Sequence, residues 1–163
     1  MEGTYDVAIV GGGPAGATLA RLIARAGRVL LLEKRSPDCD PASPQWRKPC
    51  GGLIAPDARK AVASLGLAIP QAVLTGSQPF LVRALDFQSG LERFYPRMYV
   101  NVDRGRLDRW LLSIVPPEVE ICWRTRFLGL QVQHSWVEVF CRQGDADVSL
   151  RARLLVGADG ATS

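Results

Sequence analysis

The chain opens with a short apolar run, Tyr5-Asp6-Val7-Ala8-Ile9-Val10, that ends in three glycines. A continuous run of this length suits a strand buried on both faces. From Pro14 to Ala26 the apolar positions Ala15, Leu19, Leu22, Ile23 and Ala26 recur at helical spacing, and Gly27 is placed to stop the helix. Val29-Leu30-Leu31-Leu32 then reads as a second buried strand, which completes a βαβ unit. Ser36 to Gly52 is rich in Pro, Asp and Gly and reads as a loop, and Asp57 to Leu65 as a short helix ending at Gly66.

Further on, Phe80–Phe87 and Arg93–Val102 read as two strands joined at Ser89-Gly90. Asp103 is an N-cap for a helix with Leu107, Trp110, Leu111 and Ile114 on one face, stopped by Pro116-Pro117. Val119–Trp123 is a strand. Phe127–His134, Trp136–Arg142 and Val148–Arg153 form a three-strand meander, with His134 as a structural residue on it. Leu154-Leu155-Val156 is a separate last buried strand before Gly157-Ala158-Asp159-Gly160. The order implies an α/β fold: a Rossmann-like nucleotide-binding βαβ domain with an antiparallel β-meander insertion. No helix is predicted after the last strand, so the sequence reads as the N-terminal portion of a longer protein.

Composition narrows this little. Apolar residues make up 47% and charged residues 22%, the balance of a globular domain. The formal charge of +4, carried mostly by arginine, suits an anionic ligand or an acidic membrane surface, although most of these arginines read as solvated charges. No dense basic run with interleaved aromatics points to nucleic acid. Cys39, Cys50, Cys122 and Cys141 form no Cys-x-x-Cys pair and His134 is the single histidine, so no metal site is expected. The first strand begins where a signal peptide would lie, and Ala15–Leu32 is broken by three arginines. A cytoplasmic protein with reduced thiols is expected, with peripheral membrane contact as an option.

Gly11-Gly12-Gly13-Pro14-Ala15-Gly16 fits G-x-G-x-x-G between a strand and a helix. Gly11 permits the turn, Gly13 lets backbone approach a pyrophosphate, and Gly16 lets helix and strand pack closely. Pro14 and Ala15 open the helix, whose N-terminus favours phosphate. Glu33 stands twenty residues after Gly13, where a carboxylate would accept from ribose hydroxyls and would repel a 2′-phosphate. Lys34 is a candidate cofactor contact beside it; the alternative for Lys34 and Arg35 is solvated charge. Trp46 and Trp110 read as core.

Gly157-Ala158-Asp159-Gly160-Ala161-Thr162-Ser163 resembles the second, Asp-Gly-centred motif of the flavin monooxygenases and their relatives, which implies FAD and places Asp159 and Gly160 against it. Arg47-Lys48-Pro49-Cys50-Gly51-Gly52-Leu53 resembles the Lys-Pro-Cys-Gly-Gly segment of the FAD-dependent geranylgeranyl reductase family, and Val102–Leu112 resembles that family's arginine-bearing helix. The resemblance implies that the Rossmann-like unit is an FAD/NAD(P)-binding domain of residues 1–78 and 103–163, and that 79–102 are the first strands of a substrate-binding domain and the start of its sheet. It also implies that Arg47, Cys50, Gly51 and Gly52 lie beside the flavin, that Arg104 contacts FAD, and that Cys50 is a catalytic candidate. The alternative for Cys50 is a buried small hydrophobe. The implied activity is reduction of isoprenoid C=C bonds by hydride from reduced FAD, with NAD(P)H as a candidate reductant and an isoprenoid or lipid as substrate. Two other readings stay open: an aromatic or polyketide monooxygenase or halogenase on the same fold, and a partial, non-catalytic FAD-binding module.

Overall fold

The computed structural model describes residues 4–40, 43–46 and 50–161. They fall into two compact units, Met1–Trp46 with Asp108–Ser163, and Arg47–Leu107. The first is built on a six-stranded mixed sheet. Its strands are β1 (Thr4–Val10), β2 (Val29–Leu32), β7 (Glu120–Cys122), β8 (Thr125–Val132), β9 (Val137–Gln143) and β10 (Ala146–Gly157), in the spatial order β7-β2-β1-β10-β9-β8. β7, β2, β1 and β10 run parallel, and β9 and β8 extend the sheet antiparallel.

Helix α1 (Pro14–Leu22) follows β1 and packs on β1 and β2. All four residues of β2 are buried, as its unbroken apolar run requires. Leu30 and Leu32 join a core with Tyr5, Val139, Cys141 and Leu150; Val29 and Leu31, on the opposite face of the pleat, are equally buried. α1 is shorter than its apolar spacing suggests and ends at Leu22. Gly27 lies five residues beyond that end. Its φ is 142°, and any side chain there would collide with Asp6, whose Oδ2 accepts from Arg28 N at 2.8 Å.

The separate final strand expected at Leu154–Val156 does not exist as such. β10 is one strand of 12 residues. Its first part pairs antiparallel with β9 and its later part parallel with β1, and Arg151 and Ala152 pair on both sides. His134 lies in the turn between β8 and β9 and is exposed, so it is not on a strand. Trp46 is fully buried, as expected for core. Arg124, in the tight turn from β7 to β8, is the one non-glycine residue with positive φ (53°) among the described residues. That conformation costs an L-residue about 1–2 kcal/mol.

The second unit holds β3 (Leu53–Ile54), α2 (Pro56–Ser64), β4 (Leu81–Leu85), β5 (Glu92–Pro96) and β6 (Val100–Asn101). β4 and β5 form the expected hairpin, but it ends at Pro96. Val100–Asn101 instead pairs antiparallel with Leu53–Ile54, a strand hidden by its two-residue length. Helix α3 (Arg104–Ser113) begins at the predicted cap, with Asp103 Oδ1 accepting from Arg106 N at 2.9 Å. Its buried positions are Gly105, Leu107, Asp108, Leu111 and Leu112, while Trp110 and, just past its end, Ile114 are only half-buried, so the apolar face is turned from the one expected.

Candidate functional site

The C-terminal ends of β1, β2, β7 and β10 come together in hydrogen-bonded turns. Gly11 N donates to Leu32 O at 2.8 Å, Ala158 N to Val10 O at 2.8 Å, Glu33 N to Cys122 O at 2.9 Å and Thr125 N to Glu33 O at 2.9 Å. In open α/β sheets this is the edge where ligands bind. Gly11, at φ 100°, has no room for a side chain. A Cβ would stand 2.7 Å from Ala158 O and from Asp159 Cα. The two glycine-rich motifs, far apart in sequence, are therefore locked together backbone to backbone. A Cβ on Gly16 would overlap the Gly11 carbonyl oxygen, which explains the third glycine by helix–strand contact.

Gly13 occupies the N-cap of α1 with extended backbone, Pro14 takes the first helical position, and no side chain caps the helix. The first-turn N–H groups lack intrahelical acceptors and carry the positive end of the helix dipole. This side-chain-free cradle fits a pyrophosphate. Asp159 and Gly160 lie exposed on the turn after β10.

Glu33 is 2% exposed. Its Oε2 accepts from Gly12 N at 2.9 Å and from Arg35 NH2 at 2.8 Å. Its Oε1 accepts from Arg35 N at 2.8 Å and Arg35 Nε at 2.9 Å. Four donors fill the four lone-pair positions of a carboxylate. Burial pushes the Glu33 carboxyl up, but the Arg35 hydrogen bonds and charge, with the two backbone N–H groups, more than reverse this and hold it below its ordinary value.

Arg35 is not the solvated charge its position after Glu33 suggested. It is 7% exposed, pairs with Asp108 Oδ2 at 3.2 Å, donates to Gly12 O at 3.1 Å, and lies 3.9 Å over the Trp46 ring. Burial lowers its pKa, and Glu33 and Asp108 raise it further than burial lowers it. Gly12 belongs to the same cluster, since a Cβ there would stand 2.6 Å from Glu33 Oε2. Sequence reasoning missed Gly12, Arg35 and Asp108. A helical wheel carried the signal for Asp108, which precedes Leu111 and Leu112 by three and four residues on the buried face. Lys34, in contrast, is exposed.

In the second unit Cys50 is exposed, which removes the reading as a buried small hydrophobe. The Arg104 guanidinium stands 3.4 Å from its Sγ. Gly52 has φ 70°, and a Cβ would collide with Val102 O; Val102 N in turn donates to Gly52 O at 2.9 Å. Its glycine is thus a backbone requirement. Gly51 faces open space. Arg47, Lys48 and Pro49 lie outside the described residues, as do Thr162 and Ser163.

The comparisons agree with this geometry. A model of the FAD binding domain family matches residues 4–163. Protein CbrA of Escherichia coli strain K12 is 38% identical over 159 residues, covering 98% of this chain and 44% of that protein, so the chain spans less than half of its curated relatives. A geranylgeranyl bacteriochlorophyll reductase-like protein from Thermoplasma acidophilum shares the fold with a TM-score of 0.75 at 21% identity, over 96% of this chain and 39% of the other. The myxobacterial chondrochloren halogenase CndH does so with a TM-score of 0.76 at 22% identity, over 99% and 38%. With the glycine motifs interlocked at the sheet edge and the family model spanning residues 4–163, the chain belongs to the FAD binding domain family.

Proposed function

We propose that this chain holds FAD within an oxidoreductase of the geranylgeranyl reductase type, acting on C=C bonds of an isoprenoid or lipid substrate with NAD(P)H as reductant. The observation that carries FAD is the lock between Gly11 and the Ala158–Asp159 turn beside an uncapped helix N-terminus. Bound FAD supplies two-electron redox chemistry. The α1 N–H groups, with Gly13, Pro14, Ala15 and Gly16, hold its pyrophosphate, and Asp159 and Gly160 contribute the second turn. Glu33 accepts from the ribose, exchanging one of its four N–H donors to do so. Within the second unit, Arg104 with Cys50 and Gly51 forms the proposed substrate-side surface.

The substrate class is supported by a cavity of about 460 Å³ within the second unit, lined largely by apolar side chains that include Val62, Leu67, Ile69, Phe80 and Met98. Such lining accepts an apolar chain and offers little to a polar one. Phe80 and Met98, both exposed, would offer apolar contact to such a chain.

A second reading, oxygen-dependent hydroxylation or halogenation of an aromatic substrate, draws on the equal fold likeness to the halogenase. Anaerobic reduction of the FAD-loaded protein by NAD(P)H, followed by mixing with a geranylgeranyl lipid, separates the two. Flavin reoxidation with a product heavier by two hydrogens supports the reductase. Reoxidation only by oxygen, with a hydroxylated or halogenated aromatic product, favours the second reading. FAD retention with neither reaction leaves a non-catalytic binding module.

A further inference from the structure

The first unit carries a second concave surface, where β7 turns into β8 and β8 faces β9. Its cavity of about 520 Å³ is lined by Lys34, Arg124, Arg126, Arg142, Gln45 and Leu128, together with Arg35 and Gly144, and these include no carboxylate. Three of the cations have partners: Arg142 with Asp147 at 2.7 Å, Arg124 with Asp38 at 2.7 Å, and Arg35 with Glu33 and Asp108. Lys34 and Arg126 have no acidic partner among the described residues. Two uncompensated positive charges thus face one groove.

Two of these arginines are placed at the groove by the backbone. Arg126 and Arg142 are direct cross-strand partners in the β8–β9 ladder; Asp147 offsets the charge of Arg142 and no carboxylate among the described residues pairs with Arg126. Arg124 holds φ 53°, a conformation glycine or asparagine adopts more readily. Arg124 is held at the rim by Ser36 Oγ at 3.1 Å and by Asp38, and Arg142 by Asp147, which leaves Arg126 and Lys34 as the cations open to a ligand.

We infer that this groove binds the dianionic phosphate group of a phosphate monoester or diphosphate. Guanidinium groups match phosphate oxygens in bidentate geometry, and an anion at Arg126 would balance the charge that no carboxylate among the described residues offsets. Leu128, 47% exposed at the groove, offers an apolar surface to whatever body carries the phosphate. That body is either a nucleoside or an isoprenoid chain. The phosphate site goes beyond the proposed function, and the choice between these two bodies rests on it.

The test is calorimetry and thermal unfolding of the protein at low ionic strength with inorganic pyrophosphate, adenosine 2′-monophosphate and geranylgeranyl diphosphate, with adenosine as the neutral control. Pyrophosphate should bind and raise Tm, and Arg126→Gln should weaken it by about tenfold or more. Without phosphate, Arg126→Gln should melt no lower than the native protein, because Arg126 has no acidic partner among the described residues to lose; Arg126→Lys should retain part of the binding. Tighter binding of the adenosine phosphate assigns a nucleotide, and tighter binding of the prenyl diphosphate assigns an isoprenoid. Pyrophosphate affinity weaker than about 1 mM, or affinity unchanged by Arg126→Gln, would overturn the inference. An equal loss of FAD affinity in Arg126→Gln would also overturn it, since the groove would then belong to the flavin site.

Discussion

Arg35 and Asp108 stand 73 positions apart and form a buried ion pair at 3.2 Å, with Asp108 fully shielded from solvent. The same guanidinium holds Glu33 and the Gly12 carbonyl, so the pair fixes the end of β2 against the glycine turn.

Removing one partner leaves an uncompensated buried charge. Arg35→Met should cost about 3–5 kcal/mol of stability, read by urea unfolding. The joint change Arg35→Met with Asp108→Leu should cost less than the sum of the single changes, and additivity in a double-mutant cycle would remove the coupling.

Glu33 adds a pH dependence. Its folded pKa is below its ordinary value near 4.5, so its stabilisation is full above that value and is lost as pH falls toward the lower folded value. Acid unfolding of Glu33→Gln should be shallower below about pH 4.5 than that of the native chain. Parallel acid profiles would show that the carboxylate is not titrating in that range.

Gly16 and Gly51 should respond oppositely to alanine. A Cβ on Gly16 overlaps Gly11 O, whereas Gly51 has open space. Gly16→Ala should cost about 1–3 kcal/mol or more and weaken FAD, while Gly51→Ala should leave Tm unchanged. Thermal unfolding of both variants with and without FAD makes the comparison.

Tyr5 is buried and donates to Glu120 at 2.8 Å. Burial first, and then the Glu120 hydrogen bond and charge, push its hydroxyl up to about 12. A raised folded pKa means that its contribution is complete below the unfolded value of about 10 and is lost as pH rises toward 12. Tyr5→Phe should lose about 1 kcal/mol at neutral pH and show a flatter decline between those limits. A decline as steep as in the native chain would assign the alkaline loss to other groups.

Cys50 is exposed, so Cys50→Ser should leave Tm and FAD content close to those of the native protein. Under the proposed reading, turnover of an isoprenoid substrate should fall, because a role for the thiol depends on its softness or acidity. A drop in Tm with unchanged single-turnover reoxidation would make Cys50 a packing residue.

The βαβ unit could be read from sequence because its signals are local: an unbroken apolar run, glycines at fixed spacing, and a helix period. The buried ion pair could not, because Arg35 acquires its environment from Trp46 and from a helix residue 73 positions away. β10 was divided at Leu154 because its residues alternate in burial while they pair with β9 and change that pattern beside β1. The need for glycine at position 52 comes from the Val102 carbonyl, which only tertiary structure brings close.

Because β10 is continuous, it acts as a ruler. Arg151 and Ala152 are gripped by β9 on one side and β1 on the other, and the strand delivers Ala158–Asp159 to Gly11 from that fixed point. Inserting or deleting one residue between Ala152 and Gly157 would reverse which side chains face the core and carry the Asp159 turn out of register with the first glycine. Length variation in this half of the sheet is therefore tolerable at the hairpin tips around His134 and Gly144, and intolerable along the strand that joins them to the glycine turn.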